Sequence, residues 1–348
     1  MDEYGWASAV GKLRVLEKGF LTKSDLGQIA SSGNLEAAVG ALRDSAYGPF
    51  VAKSSAEAFD HALQEALQSQ YESMMALAHE PWIIAAFRAR HDFHNLKVYA
   101  KSNRLGMALE EEALSPVGNL TVSELGALCE DGSLEAEVGA GNTAELVGAL
   151  AKVYRGTVEI AKDKDSSDAL KALKMDAFID QAYFHWYQEM LSQFGYETLN
   201  YFVSLEIDVT NLRMFLRGKR QGIPGSTMGG VFLEGGSVCQ GALLEAYPGQ
   251  SLDGLVRAYD GTSLRDLAER GREVLDDGSS MTAWEKECDN FFMEVVKKAK
   301  TVPMGPEPAF GYIYGREIEA RNLRVILSGK QSSVPSKQIS ERLREPYV

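Results

Sequence analysis

Three short phrases in the chain obey one rule: an acid, two unrestricted positions, Asn, Leu, then a base. They are Asp92-Phe93-His94-Asn95-Leu96-Lys97, Asp208-Val209-Thr210-Asn211-Leu212-Arg213 and Glu319-Ala320-Arg321-Asn322-Leu323-Arg324. The three asparagines are separated by 116 and 111 residues, about a third of the chain each time. A second acid precedes every phrase, with Asp60, Asp176 and Asp289 lying 35, 35 and 33 residues before the respective Asn. Two anchors at matched spacing, three times over, mark an internal repeat, and a repeat decides the architecture before any local propensity does. The expected units are residues 1–113, 114–225 and 226–348.

Each unit has the same helical grammar. Trp6, Val10, Leu13 and Leu16 recur at helical spacing and predict a first helix ending at Gly19. Small helices then precede a long one over roughly 55–78, and Pro81 opens the helix that carries the first phrase. The order repeats with long helices near 168–194 and 281–300, and phrase-bearing helices near 197–218 and 311–328. Residues 302–308 read as a proline-rich break, and Val117-Gly118-Asn119-Leu120 as a short extended stretch. No alternating run is long enough for a sheet. The expected fold class is all-α, in three similar parts.

On a 3.6-residue helix, the Leu after each Asn shares a face with Tyr99, Phe215 or Ile326 and with Ala100, Leu216 or Leu327. Tyr201 and Tyr312, ten residues before their Asn, fall on the same side. The acids Asp92, Asp208 and Glu319 lie within this apolar stripe, and Asn95, Asn211 and Asn322 on its flank. A carboxylate on a buried face must be hydrogen-bonded or paired. Either it caps a helix start, or it meets a base such as Lys12 or Arg14 from the first helix. A packing role suits three copies better than a catalytic one. The bases form outward rows at i, i+4 and i+7: Lys97, Lys101 and Arg104, then Arg213, Arg217 and Arg220. The third copy keeps Arg324, with Lys330 nearby. Such rows suit a solvated helix end, or a docking face on an acidic protein. Small residues Ala7, Ser8 and Gly11 on the first helix could allow close approach of a partner, though tight packing within the chain is the simpler expectation.

A net charge of −13 argues against nucleic acid as partner and against broad adhesion to an anionic membrane. Apolar runs such as Trp82–Phe87 fall far short of the ~20 residues of a membrane span. The acidic start lacks the pattern of a signal peptide. Cys129, Cys239 and Cys288 have no paired spacing, as expected in a reducing cytoplasm. Gly139-Ala140-Gly141-Asn142-Thr143-Ala144 imitates a dinucleotide fingerprint, but no strand precedes it, and a helix-capping loop is the better account. His91 and His94 could suggest a metal, but the other copies place Ile207 and Thr210, or Ile318 and Arg321, there. No P-loop and no triad setting occurs. The residues therefore offer no enzyme and call for no cofactor.

The opening Tyr4-Gly5-Trp6-Ala7-Ser8-Ala9-Val10-Gly11-Lys12-Leu13-Arg14 resembles the start of the C subunit of prokaryotic V/A-type rotary ATPases, a relative of the d subunit of eukaryotic V-ATPases. Leu42-Arg43-Asp44-Ser45-Ala46-Tyr47 is similar to that family's L-x-x-T-x-Y corner, with Ser in place of Thr. Asp92–Lys97 and Asn322–Lys330 resemble its D-x-x-N-L-K and N-L-R-x-I-L-x-G-K segments. The resemblance implies a funnel of three helical domains with pseudo-threefold symmetry, peripheral on the cytoplasmic face of the membrane. It implies a non-catalytic subunit that joins the proteolipid rotor ring to the central-stalk shaft and passes torque between them. Its membrane contact would run through the ring. A soluble helical-repeat scaffold for another complex is the alternative.

Overall fold

The computed structural model describes residues 3–131, 142–193, 195–249 and 251–348. Residues 139–141 of the imitation fingerprint fall outside them, and Asn142 opens the helix Asn142–Ala161. Among the described residues every regular element is helical, and no strand forms, including at Val117–Leu120. None of the helices among the described residues is long and apolar enough to cross a membrane.

Three helices of equal length carry the three phrases: Pro81–Leu105, Glu197–Gln221 and Glu307–Gln331, 25 residues each. The second stops at Gly222, whose φ of 68° closes the last turn, with the Ile223 amide bonding back to the Gly218 carbonyl. The third begins inside the expected proline-rich break. Pro308 is tolerated in the first turn because an N–H there would have no helical acceptor. The second acids ride on Phe59–Leu77, Asp168–Ser192 and Met281–Lys297. Smaller helices start on side-chain caps. Thr22 and Asp25 bond reciprocally across Lys23–Ala30, and Asn34 accepts from the Ala37 amide.

The chain divides into two compact units, 1–85 with 285–348, and 86–284. In the first, Phe59–Leu77 packs along Glu307–Gln331, and Leu26, Ile29, Leu42, Phe59 and Leu63 surround Leu323, Ile326 and Leu327. In the second, Phe93 lies 5.5 Å from Tyr183 and 6.2 Å from Trp186, ring centre to ring centre, while Phe215 meets Tyr247 edge-on at 4.9 Å. Helix 59–77 thus packs on the third phrase helix, and 168–192 meets the first through its aromatic rings while also packing on the second.

The apolar stripe is buried as its spacing requires, Leu96, Leu212 and Leu323 completely so. Tyr312 is buried too, but Tyr201 is half exposed, because it lies in the second turn of its helix where no neighbour covers that face. Ala7, Ser8 and Gly11 are also on an exposed face, not packed within the chain as their size suggested; a Cβ at Gly11 would meet nothing within 4 Å.

Candidate functional site

The repeated acid and Asn are deeply buried: Asp92, Asn95, Asp208, Asn211, Glu319 and Asn322 are all within 2 % of full burial. Each Asn makes the same two bonds to one backbone residue. Asn95 accepts from the Ser115 amide (2.7 Å) and donates to its carbonyl (2.8 Å). Asn211 does so with Leu233 (2.7 and 2.8 Å), and Asn322 with Arg344 (2.8 and 3.0 Å). A primary amide can pair with a peptide group in this two-point way because its C=O and N–H point side by side.

The first two acids bind the same loops a few residues further on. Asp92 accepts from the amides of Asn119 and Leu120 (3.0 and 2.9 Å) and from the Asn119 side chain (2.9 Å). Asp208 accepts from the amides of Ser237 and Val238, each at 3.0 Å, and from the Ser237 hydroxyl. Glu319 takes the Leu21 amide at 2.5 Å, the Tyr47 hydroxyl at 2.9 Å and the Arg316 guanidinium at 2.7 Å. No acid caps a helix start of its own, and the one paired with a base, Glu319, takes Arg316 of its own helix and not Lys12 or Arg14. The acids sit in mid-helix, where the local N–H groups are already bonded, so they cap nothing on their own helix. Lys12 is exposed, and Arg14 instead bonds Glu17 at 2.7 Å and the Lys300 carbonyl at 2.6 Å. Burial pushes the pKa of all three acids upward, against the bonds that favour their charged forms.

A glycine makes room for two of the acids. A Cβ on Gly118 would lie 2.4 Å from Asp92 Oδ1, and one on Gly236 would lie 2.1 Å from Asp208 Oδ1. Both glycines stand two residues before the last amide of the clamp. Gly19 holds that place before Leu21, where its nearest neighbour would be Arg316 Nη2 at 3.3 Å. The sequence contained this signal, a Gly-x-Leu or Gly-x-Val step preceding each set of small helices, but only comparison of the loops with one another exposes it.

The basic rows differ in their surroundings. Lys97 and Asp180 form an ion pair, Lys101 reaches Asp176 at 3.0 Å and Arg324 reaches Asp60 at 2.6 Å. The first two bases are half-buried against the neighbouring long helix, whereas the Arg324 pair is solvated. Two of the second acids therefore meet bases of a phrase. The third, Asp289, is bonded by Arg344 at 2.6 Å with Arg321 at 3.7 Å. Arg104 stacks over the Tyr154 ring at 4.4 Å and Lys330 donates to Ser336. Arg213 is half-buried, and Arg217 and Arg220 are exposed.

Among the described residues no group of three His, Cys, Asp or Glu side chains is arranged to hold a metal. His91 and His94 turn to the first clamp instead, at 3.0 Å from the Ser115 hydroxyl and 2.9 Å from the Ala113 carbonyl. None of the three cysteines forms a disulfide, and burial raises the Cys129 thiol to about 12, far from a reactive thiolate.

The chain is all-α, and its buried polar groups clamp loops to helices three times with one Asn geometry. The model of the ATP synthase (C/AC39) subunit family matches residues 9–342, and the chain belongs to that family, the C subunits of prokaryotic V/A-type ATPases. It is 26 % identical to the C subunit of the A-type ATP synthase of Methanocaldococcus jannaschii, over 99 % of this chain and 87 % of that one. It is 23 % identical to the C subunit of the V-type sodium ATPase of Enterococcus hirae, over 96 % and 97 % of the two chains. With the C subunit of the A-type ATP synthase of Haloquadratum walsbyi it shares 22 %, over 92 % and 90 %. Membership supports a non-catalytic role in the rotor or stalk.

Proposed function

We propose that this chain couples the central-stalk shaft of a V/A-type ATPase to its membrane proteolipid ring, transmitting torque between ATP chemistry and ion translocation. The observation that carries this reading is the family match over nearly the whole length, residues 9–342. Close-packed helices resist shear, as a torque-bearing part must. In this reading the repeats 1–113, 114–225 and 226–348 are the three similar parts of a pseudo-threefold funnel. The chain lies on the cytoplasmic face and touches the membrane only through the ring. The clamp residues, with Asp60, Asp176 and Asp289, fix the architecture. Of the eight candidate docking bases, Arg217, Arg220 and Arg324 are exposed, the last of them against Asp60.

Deleting the chain from its ATPase should abolish ATP-driven ion pumping in membrane vesicles while leaving ATP hydrolysis by the detached catalytic part. Pumping that survived deletion would sink the proposal. Arg217→Glu with Arg220→Glu should weaken co-purification with the proteolipid ring without changing the helix content of the purified protein. Undiminished assembly would make that row a solvated face.

A further inference from the structure

The third clamp is assembled from two segments far apart in the chain. In the first two copies one continuous loop supplies both partners: Leu120 follows Ser115 by five residues, and Val238 follows Leu233 by five. The third Asn takes Arg344, but the amide on Glu319 comes from Leu21, more than 300 residues earlier. Leu21 brings the sequence Leu21-Thr22-Lys23-Ser24-Asp25-Leu26, the counterpart of Leu120-Thr121-Val122-Ser123-Glu124-Leu125. Both stretches carry the same reciprocal cap, Thr22 with Asp25 and Thr121 with Glu124. The third copy is thus closed by contact where the other two are closed by peptide bonds.

At that joint the acid is met by a buried guanidinium. Arg316, 3 % exposed, bonds Glu319 at 2.7 Å, the Tyr312 hydroxyl at 3.1 Å and the Gly19 carbonyl at 3.2 Å, and lies 3.9 Å over the Phe20 ring. The aligned positions of the other phrases, three before the acid, are Ala89 and Leu205. Tyr47 adds its hydroxyl to Glu319, and Tyr347 packs 5.1 Å from Phe20 while its hydroxyl reaches Glu17.

We propose that this network is a latch. It holds the N-terminal segment 20–77 on the 307–331 helix in place of a covalent link, and it lets that joint open as a separate event while the other two clamps stay closed. Arg316 and Glu319 pair on the 307–331 helix itself, and what they hold across the joint is the Gly19 carbonyl, the Phe20 ring, the Leu21 amide and the Tyr47 hydroxyl, so the latch is an ion pair gripping a polar and aromatic edge.

Hydrogen exchange of the full-length protein, read by mass spectrometry, tests this. Arg316→Met, which keeps the bulk and removes the charge, should accelerate exchange in 20–51 and 307–327 at least about tenfold, and change 86–131 by less than about twofold. Equal acceleration in both regions would reduce Arg316 to general stability, and none in 20–51 would remove the latch altogether. Should that variant fail to fold, Tyr47→Phe should give a smaller effect with the same distribution, and a uniform effect overturns the proposal. A circular permutant adds a second arm. Val348 is joined to Met1 by about ten Gly/Ser residues, and new termini are opened between Lys164 and Asp165. There the Arg316→Met acceleration in 20–51 should fall to less than about a third of its size in the native order, because opening is now tethered. Undiminished acceleration would contradict a latch that stands in for a peptide link.

Discussion

The second and third clamps use the same Asn geometry but solve the acid in opposite ways. Asp208 is short, neutralised by amides and a hydroxyl of a loop that follows directly, and fits only because Gly236 has no side chain. Glu319 is one methylene longer, reaches a segment 298 residues away, and is matched by a buried guanidinium. A contiguous loop arrives in register by covalent linkage, so hydrogen bonds to its backbone suffice. A segment arriving from far along the chain gets no such help, and there the fold accepts the desolvation of an ion pair. Buried pairs of this kind contribute little relative to an apolar replacement, yet removing one partner is costly.

The contrast can be broken most forcefully at Glu319. Glu319→Ala leaves Arg316 buried without its carboxylate and should destabilise the first compact unit by ~3–5 kcal/mol in urea titration. Loss of under ~1 kcal/mol would mean the guanidinium is held by its carbonyls and rings alone. Next come the glycines. Gly236→Ala sets a methyl against the Asp208 carboxylate and should cost about 1–3 kcal/mol. Gly118→Ala should behave alike. Gly19→Ala, whose methyl would stand 3.3 Å from Arg316 Nη2 and clear of any carboxylate, should cost under ~1 kcal/mol, and equal losses at 19 and 236 would erase the distinction.

The smallest effect is in pH. Burial holds the folded-state pKa of Asp92 and Asp208 above the unfolded value, so the folded form binds the proton more tightly. Stability from these groups is then fully present below about pH 4, the unfolded carboxylate range, and is lost as pH rises through the raised value. The gap in urea midpoint between the protein and its Asp92→Asn variant should therefore widen from pH 7 to pH 5. A narrowing gap would mean that the amide bonds outweigh burial.

Much of this was legible in the residues. The threefold phrase, the helical class and the buried stripe at Leu96, Leu212 and Leu323 follow from spacing, because helix periodicity forces the face. Burial of the acids followed from the same wheel. Their partners did not, since which loop descends on Asp92 is a tertiary fact with only Gly118 as a trace. Reading Lys97 and Lys101 as outward required a bare neighbouring face, but the 168–192 helix brings Asp180 and Asp176 against them. Tyr201 failed for the converse reason, as periodicity says which side a residue takes but not whether anything lies there.

Closing the third copy between distant segments also sets a schedule for synthesis. Leu26, Ile29, Phe59 and Leu63 leave the ribosome early, yet the surface that buries them, Leu323 to Leu327, is made more than 250 residues later than residue 63. At about 5–20 residues per second, that apolar segment waits roughly 10–50 s for its partner. The first helices made are therefore among the last to be completed, and the nascent chain needs shelter for them over that interval.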